Sequence, residues 1–218
     1  MTSRPRMFLS TAAAGTTAAL LVLTACGGGG NEPKGHGEIA GAGGAASASA
    51  GGSTSTSGGR PTVTFPSDAR NVFEGQKSGD ARKDAVLADN AQRINSIDDA
   101  IFQGTVNTEA LGFYSAEGAL GSARMFIKGY LDDGRSWTGT TRYFDRQVSF
   151  RSDGSAAVVY CSDESKSFLK NRKTNKAEKT PTSADSYVLY NTKLVETPDG
   201  VWQTVKVISK RGAAQCQP

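Results

Sequence analysis

The hydrophobic period of the chain changes at Gly134, and this change constrains the fold more than any other feature of the sequence. Before Gly134, apolar residues recur at steps of three and four, which is typical of amphipathic helices. After Gly134, apolar and polar residues alternate, which is the period of β-strands. Helices followed by strands predict an α+β domain, in which N-terminal helices pack on a curved antiparallel sheet. The helical segments are DARKDAVLADNAQRINSIDDAIFQG, TEALGFYS and SARMFIKGYLDDG.

The first and longest helical segment has recognisable ends. Asp80 suits the N-cap, and Gly104 suits the left-handed position that ends many helices. We expect Asp98 and Asp99, which stand beside the apolar stripe of this helix, to face water. The stripe consists of Leu87, Ala91, Ile94, Ile97 and Ile101.

Asp153-Gly154 is a strong signal for a two-residue hairpin between TTRYFDRQVSF and AAVVYC. A two-residue turn places Val148 opposite Val159 and Phe150 opposite Ala157. Asp145 then falls on the other face, which argues against a general base there unless a β-bulge reverses it. Alternation gives the inner face the side chains of Phe144, Val148, Phe150, Ala157 and Val159.

Arg142 and Arg146 alternate with the apolar residues that we assign to the inner face. Two inward arginines can hold an anionic group, so these two are the candidate ligand-binding residues. The pattern leaves an alternative open, in which this strand extends past the helices and both arginines are solvated.

Two further strands, DSYVLYNTKLVE and VWQTVKVIS, complete an antiparallel meander of about four strands. Residues 80–218 are therefore predicted to form one α+β domain that is long enough to bury a core. Residues 61–79 are too apolar for a free linker, and we expect them to be an extended lead-in that packs on the domain.

The amino-terminal region has the pattern of an export signal. A basic start precedes a stretch without charge, and that stretch ends in Leu23-Thr24-Ala25-Cys26. This ending resembles the lipobox of bacterial lipoproteins. The resemblance implies a signal peptide at 1–25, lipid such as palmitate on Cys26, and anchoring at the outer face of the cell membrane. The alternative is an uncleaved membrane helix.

Glycine dominates the stretch that follows Cys26. Residues 27–60 hold 13 of the 26 glycines and no aromatic residue, so they cannot bury enough apolar surface to offset the entropy of ordering. Residues 26–60 are predicted to be a disordered tether with an r.m.s. span of roughly 30 Å. His36, the one histidine of the chain, lies in this tether. The folded domain therefore has no imidazole for a catalytic triad, a Cys-His pair or a zinc site.

Cys26, Cys161 and Cys216 are the three cysteines of the chain. If lipid takes Cys26, an even pair remains outside the membrane, where disulfides persist. We expect a disulfide between Cys161 and Cys216. Two free thiols, or a nucleophilic Cys161, are the alternatives.

The formal net charge of +4 is small and gives no reason to expect a nucleic-acid partner. The pairs of acidic residues at the ends of elements lack the alternating oxygen spacing of a calcium loop, so we expect no metal. We expect no cofactor either.

The order of these motifs resembles that of nuclear transport factor 2-like domains and, more narrowly, of secreted actinobacterial lipoproteins of that type. The resemblance implies a cone, in which a bent sheet wraps a long helix and encloses a pocket. Such domains include isomerases, cyclases and dehydratases as well as non-catalytic binding modules, so the fold does not fix the function. The motifs that carry the resemblance are INSIDDAIFQG, FIKGYL, WTGTTRYFDRQVSF, VVYCSDES, GVWQTVKV and Cys216.

We therefore expect a non-catalytic module that binds a small apolar or anionic ligand or a protein of the cell envelope. Two alternatives stay open. One is a histidine-free acid–base enzyme of the isomerase or cyclase kind, and the other is a structural envelope protein whose side chains fill its own cavity. An Asp or Glu that points into the cavity from apolar surroundings would favour the enzyme.

Overall fold

The computed structural model describes residues 59–218. The predicted signal peptide, Cys26, His36 and nearly all of the predicted tether lie outside these residues. The described strands are β1 (Ala69–Phe73), β2 (Arg135–Phe150), β3 (Ala156–Asn171), β4 (Ala177–Glu178), β5 (Tyr187–Glu196) and β6 (Trp202–Arg211). The described α-helices are α1 (Ala81–Gln103), α2 (Glu109–Tyr114) and α3 (Glu117–Asp132), and short 3-10 turns occupy Ala184–Ser186 and Ala214–Cys216.

The strands form one sheet in the order β1-β2-β3-β5-β6, with the short β4 paired to the end of β3. β2, β3, β5 and β6 are antiparallel neighbours, which is the predicted four-stranded meander. The lead-in adds β1 to the outer edge of β2 in the parallel direction, so the sheet is mixed. The α+β fold class is confirmed: three helices precede the meander and pack against it.

Helix α1 begins and ends where the sequence predicts. Asp80 Oδ1 accepts the backbone N–H groups of Arg82 and Lys83 over 2.9 and 3.0 Å, which satisfies two free donors of the first turn. Gly104 closes the helix with a φ of 78°, a conformation that only glycine adopts without strain.

The core lies between the helices and one face of the sheet, in two clusters. One joins α1 to β3, β5 and β6 and consists of Val86, Leu87, Ile94, Ala156, Val158, Tyr160, Leu194 and Trp202. The other joins the three helices to β1 and β2 and consists of Ala69, Ala100, Ile101, Leu111, Ala123, Ile127 and Trp137. Each large apolar side chain buried here contributes about 1.5–3 kcal/mol, which holds α1 firmly across the sheet.

The carboxyl-terminal tail covers part of the opposite face of the sheet. Cys161 and Cys216 form a disulfide with a Cα–Cα distance of 5.5 Å, as predicted. Both cysteines are buried with Tyr187 and Ala213, and Phe144 packs against them. Since Tyr160 belongs to the helix-facing core, its neighbour Cys161 points the other way by the alternation of a strand.

The hairpin between β2 and β3 differs from the predicted two-residue turn. Phe150 pairs with Ala156, and the backbone N–H of Arg151 donates to the Ser155 carbonyl over 2.8 Å. Asp153 Oδ1 accepts both the N–H and the hydroxyl of Ser155, and this contact together with left-handed Gly154 gives a three-residue loop with a bulge. The predicted register was therefore wrong by one residue on β3.

A β-bulge at Asp145 changes which side chains share a face on β2. Asp145 has a φ of 50°, and the pairing skips between Phe144 and Gln147. Phe144 consequently lies on the disulfide side, whereas Val148 packs on the helix side. The predicted inner face of β2 was wrong at Phe144, because an extra residue reverses the alternation.

Candidate functional site

A cavity of about 460 Å³ lies between α1, α3 and the helix-facing side of the sheet. Its volume falls in the range of pockets for small molecules, roughly 300–1,000 Å³. About half of its wall surface is apolar, and the apolar and aromatic side chains there include Ile94, Ile97, Trp137, Tyr143, Tyr160 and Tyr190. The rings of Tyr160 and Tyr190 stack at 4.9 Å with an interplanar angle of 12°.

Arg93 stands in the middle of α1 and lines this cavity. Its side chain is 5% exposed, its Nε is buried without a hydrogen-bond partner, and it forms none of the ion pairs found within residues 59–218. Burial lowers the pKa of Arg93, yet a guanidinium stays charged in proteins. The cavity therefore contains a positive charge that forms no close ion pair within residues 59–218 and that acts on Asp98 only from beyond 4.0 Å.

Asp98 lines the same cavity and is held by two donors. The Asn71 amide donates to its Oδ2 over 2.7 Å, and the Trp137 indole N–H donates to its Oδ1 over 3.0 Å. Burial raises the pKa of Asp98 to about 7, although both hydrogen bonds oppose this rise. A carboxyl group that titrates near neutral pH can both take up and release a proton at a bound molecule.

The expectation that Asp98 and Asp99 face water was wrong. β1 and α3 pack beside this flank of α1, so that Asp98 is half-buried and lines the cavity. Asp99 is 1% exposed and serves the structure, because its Oδ1 accepts the backbone N–H and the hydroxyl of Thr64, both over 3.1 Å.

A second acidic group, Glu164, lines the cavity but is paired. Its Oε2 lies 2.8 Å from Arg211, which also lines the cavity. Tyr130 is nearby, and burial, with the charges of Asp98 and Glu164, raises its pKa to about 12. Tyr130 therefore remains a neutral phenol that can donate a hydrogen bond at physiological pH.

Arg142 and Arg146 do not share an inner face, because the bulge at Asp145 lies between them. Arg142 is partly exposed over the ring of Phe144, at 4.1 Å, and pairs with Glu74 over 2.9 Å. Arg146 is buried and donates to the Leu87 carbonyl over 2.7 Å, so that it ties β2 to α1. Neither lines the cavity; the arginines that do are Arg93 and Arg211, and Arg211 is paired with Glu164.

Sequence reasoning missed Arg93, although one signal was available. Val86, Arg93 and Ala100 are spaced by seven residues, which places them at almost the same angle around a helix. Val86 and Ala100 are both fully buried. Arg93 lies between these two buried positions on the same side of α1, so its spacing alone predicts that its side chain is buried.

Within residues 59–218, no group of His, Cys, Asp and Glu side chains has the arrangement of a metal site. No helix in the same range has both the length and the hydropathy that crossing a membrane requires.

No protein-family model matches the chain, and no curated protein is similar to it in sequence. Among solved structures, the chain is similar to Aln2 from a Streptomyces species, with 12% identity and a TM-score of 0.37 over 58% of this chain and 88% of that one. ActVI-ORFA from Streptomyces coelicolor gives 14% identity and a TM-score of 0.37 over 58% and 92% of the two chains. A putative ketosteroid isomerase from Shewanella frigidimarina gives 13% identity and a TM-score of 0.31 over 60% and 98%. Likenesses of this size carry no argument about function, which rests on the site itself.

Proposed function

We propose that this domain binds a small molecule with an anionic group and an apolar body inside the cavity between α1, α3 and the sheet. The observation that carries the proposal is Arg93, a buried guanidinium that faces the cavity without a carboxylate partner. Burying an unpaired charge costs several kcal/mol, and an anionic ligand would offset that cost. The open cavity also favours this role over a structural protein whose own side chains fill the space.

The geometry of a guanidinium suits a carboxylate or a phosphate. Its N–H groups form a planar fork that makes two parallel hydrogen bonds to such groups, and charge-assisted bonds of this kind are about twice as strong as neutral ones. The stacked Tyr160 and Tyr190 offer aromatic surface to the rest of the ligand. Arg93 would thus bind the anion while the aromatic walls bind the apolar body.

The test is a ligand-induced shift of the melting temperature of the exported protein, with cinnamate as the anionic probe. We expect cinnamate to raise the melting temperature of the wild type and of Arg142→Met, but not of Arg93→Met. The Arg142 variant is the matched control, because it removes an arginine that lies outside the cavity. Equal shifts for the three proteins would contradict the proposal.

A second candidate function, an acid–base enzyme of the isomerase or cyclase kind, is favoured by Asp98. Burial raises the pKa of its carboxyl to about 7, and a carboxyl that titrates near neutral pH inside a cavity is the property that distinguishes such an enzyme from a plain binding module. Phenylpyruvate is a suitable probe, since it combines a carboxylate with an acidic C–H group. An enzyme would exchange that hydrogen for solvent deuterium faster than buffer does, and Asp98→Asn would abolish the gain. Exchange at the buffer rate would contradict this candidate and leave the binding function standing.

We also propose that the protein is anchored to the outer face of the cell membrane by lipid on Cys26. The sequence Leu23-Thr24-Ala25-Cys26 supports this proposal. The mass of the amino-terminal peptide from the membrane fraction tests it. We expect an acylated Cys26, and release of the Cys26→Ala variant from the membrane. An unmodified or uncleaved terminus would contradict it.

A further inference from the structure

The cavity has two polar groups with opposite hydrogen-bonding requirements. Arg93 can only donate, whereas the ionised carboxylate of Asp98 can only accept. Both belong to α1, where a separation of five residues corresponds to roughly 7.5 Å along the helix axis. Ile94 and Ile97 line the cavity between them.

The two groups do not form a close ion pair, although the charge of Arg93 acts on Asp98. Arg93 and Asp98 form no ion pair in the described chain, so their side-chain N and O atoms lie more than 4.0 Å apart. The other charged pair at the cavity, Glu164 with Arg211, is already closed at 2.8 Å. Arg93 and Asp98 are therefore both available to one ligand in the cavity.

Asp98 has acceptor capacity beyond its two protein donors. Asn71 and Trp137 use one lone-pair site on each oxygen, and a carboxylate has about four such sites. The two donors also fix the plane of the carboxylate against α1. The sites that remain belong to a carboxylate that lines the cavity, so a donor on a bound ligand can reach them.

We propose that the natural ligand is a carboxylate with a hydrogen-bond donor, a hydroxyl or an N–H group, at the far end of a flat apolar body. Arg93 binds its carboxylate, Asp98 accepts from its donor, and the aromatic walls pack on the body between them. This inference rests on the proposed binding function and adds the requirement for the second polar end.

The need for a hydrogen-bond donor on the ligand follows from the free energy of binding. A carboxylate ligand without the donor would displace water from Asp98 and leave the buried oxygens short of a partner. An unmade hydrogen bond at a buried polar group corresponds to roughly a tenfold loss of affinity. Simple aliphatic or aromatic acids would therefore bind, but more weakly than hydroxy acids of the same shape.

The experiment compares cinnamate, 4-hydroxycinnamate and 4-ethylphenol by isothermal titration calorimetry with the exported full-length protein. At about pH 8, Asp98 is mostly ionised, because its pKa is about 7. We expect 4-hydroxycinnamate to bind roughly tenfold more tightly than cinnamate, and 4-ethylphenol to bind more weakly than either. In Asp98→Asn the preference for the hydroxyl should fall to about twofold, since a neutral amide accepts less strongly than a carboxylate.

A second measurement avoids any substitution. At about pH 5.5 the wild-type Asp98 is protonated, so the preference for 4-hydroxycinnamate over cinnamate should shrink as it does in Asp98→Asn. Equal affinity for these two acids at both pH values would overturn the inference and leave the proposed binding function intact. Binding of 4-ethylphenol without binding of either acid, or no binding at all, would instead contradict the proposed function.

Discussion

At the scale of single residues, two charged side chains of α1 define what the cavity can do. Asp98 shows a competition between burial, which disfavours its charge, and two hydrogen-bond donors, which favour it. Burial is the stronger effect, and the pKa rises to about 7. Arg93 cannot become neutral in this way, because a guanidinium does not lose its proton in a protein. It therefore carries a charge without a close ion-pair partner into the core at every physiological pH.

The raised pKa of Asp98 predicts how stability depends on pH. The folded protein binds the proton more tightly than the unfolded chain, whose Asp has a pKa near 3.8. The contribution of Asp98 to stability is therefore full below about pH 4 and is lost as the pH rises to about 7. By urea unfolding, we expect Asp98→Asn to gain stability relative to the wild type across this window, by no more than about 4 kcal/mol. A difference that does not change with pH would contradict the raised pKa.

The burial of Arg93 without an ion-pair partner predicts that an apolar substitution at this position stabilises the folded protein. Replacing a buried, unpaired charge with an apolar side chain of similar length removes a desolvation penalty, so Arg93→Met should raise the free energy of unfolding by about 1–4 kcal/mol. Arg142→Met, which removes a partly exposed ion pair, should change it by less than about 1 kcal/mol. Denaturant titration of the two variants measures both. A destabilised Arg93→Met would show that the guanidinium serves the fold and not a ligand.

At the scale of elements, the lead-in contacts residues that shape the cavity and the core. The ring of Phe65 in the lead-in packs against the ring of Trp137, with 6.1 Å between the ring centroids. The side-chain amide of Asn71 on β1 donates a hydrogen bond to Asp98. Arg60, the residue just before the lead-in and the last of the predicted tether, pairs with Asp89, which is 1% exposed and also accepts the backbone N–H of Trp202 over 2.8 Å. The lead-in thus holds two side chains that line the cavity, Asp98 and Trp137, without lining the cavity itself.

The ion pair of Arg60 and Asp89 predicts that substitutions at these two residues have non-additive effects on stability. Arg60→Met leaves a buried carboxylate without its cation, and we expect a loss of about 2 kcal/mol in the free energy of unfolding. Adding Asp89→Asn should recover part of this loss, because the amide carries no charge to desolvate. A thermodynamic cycle over the four proteins gives the interaction energy. Additive effects would show that the two side chains do not act as a pair.

Much of the element order was predictable from the sequence, because local signals decide it. The apolar stripe and the residues Asp80 and Gly104 bound α1, and alternation identifies the four long strands. The bulge at Asp145 was not predictable, since an aspartate with positive φ leaves no composition signal of the kind that glycine gives. Asp98 was misplaced for a non-local reason: what covers the flank of a helix depends on segments far away in the chain.

At the scale of the whole molecule, the disulfide closes a loop across a sequence separation of 55 residues. In the chain-entropy model, such a loop contributes roughly 4 kcal/mol. We expect the double variant Cys161→Ala and Cys216→Ala to lose about 3–4 kcal/mol in the free energy of unfolding. Ligand affinity should change little in the fraction that stays folded, because the disulfide and the cavity lie on opposite faces of the sheet. Loss of binding in folded protein would contradict that separation.

The measurement that tests the central claim most directly is native mass spectrometry of the protein, purified from its own source and compared before and after denaturation. A small molecule that binds through Arg93 should appear as an added mass on the wild type and on Arg142→Met, and it should leave on unfolding. The same mass should be absent from Arg93→Met. An added mass that persists in Arg93→Met, or a wild type without any bound molecule even when supplied with an extract of its source, would contradict the claim that Arg93 holds an anionic ligand.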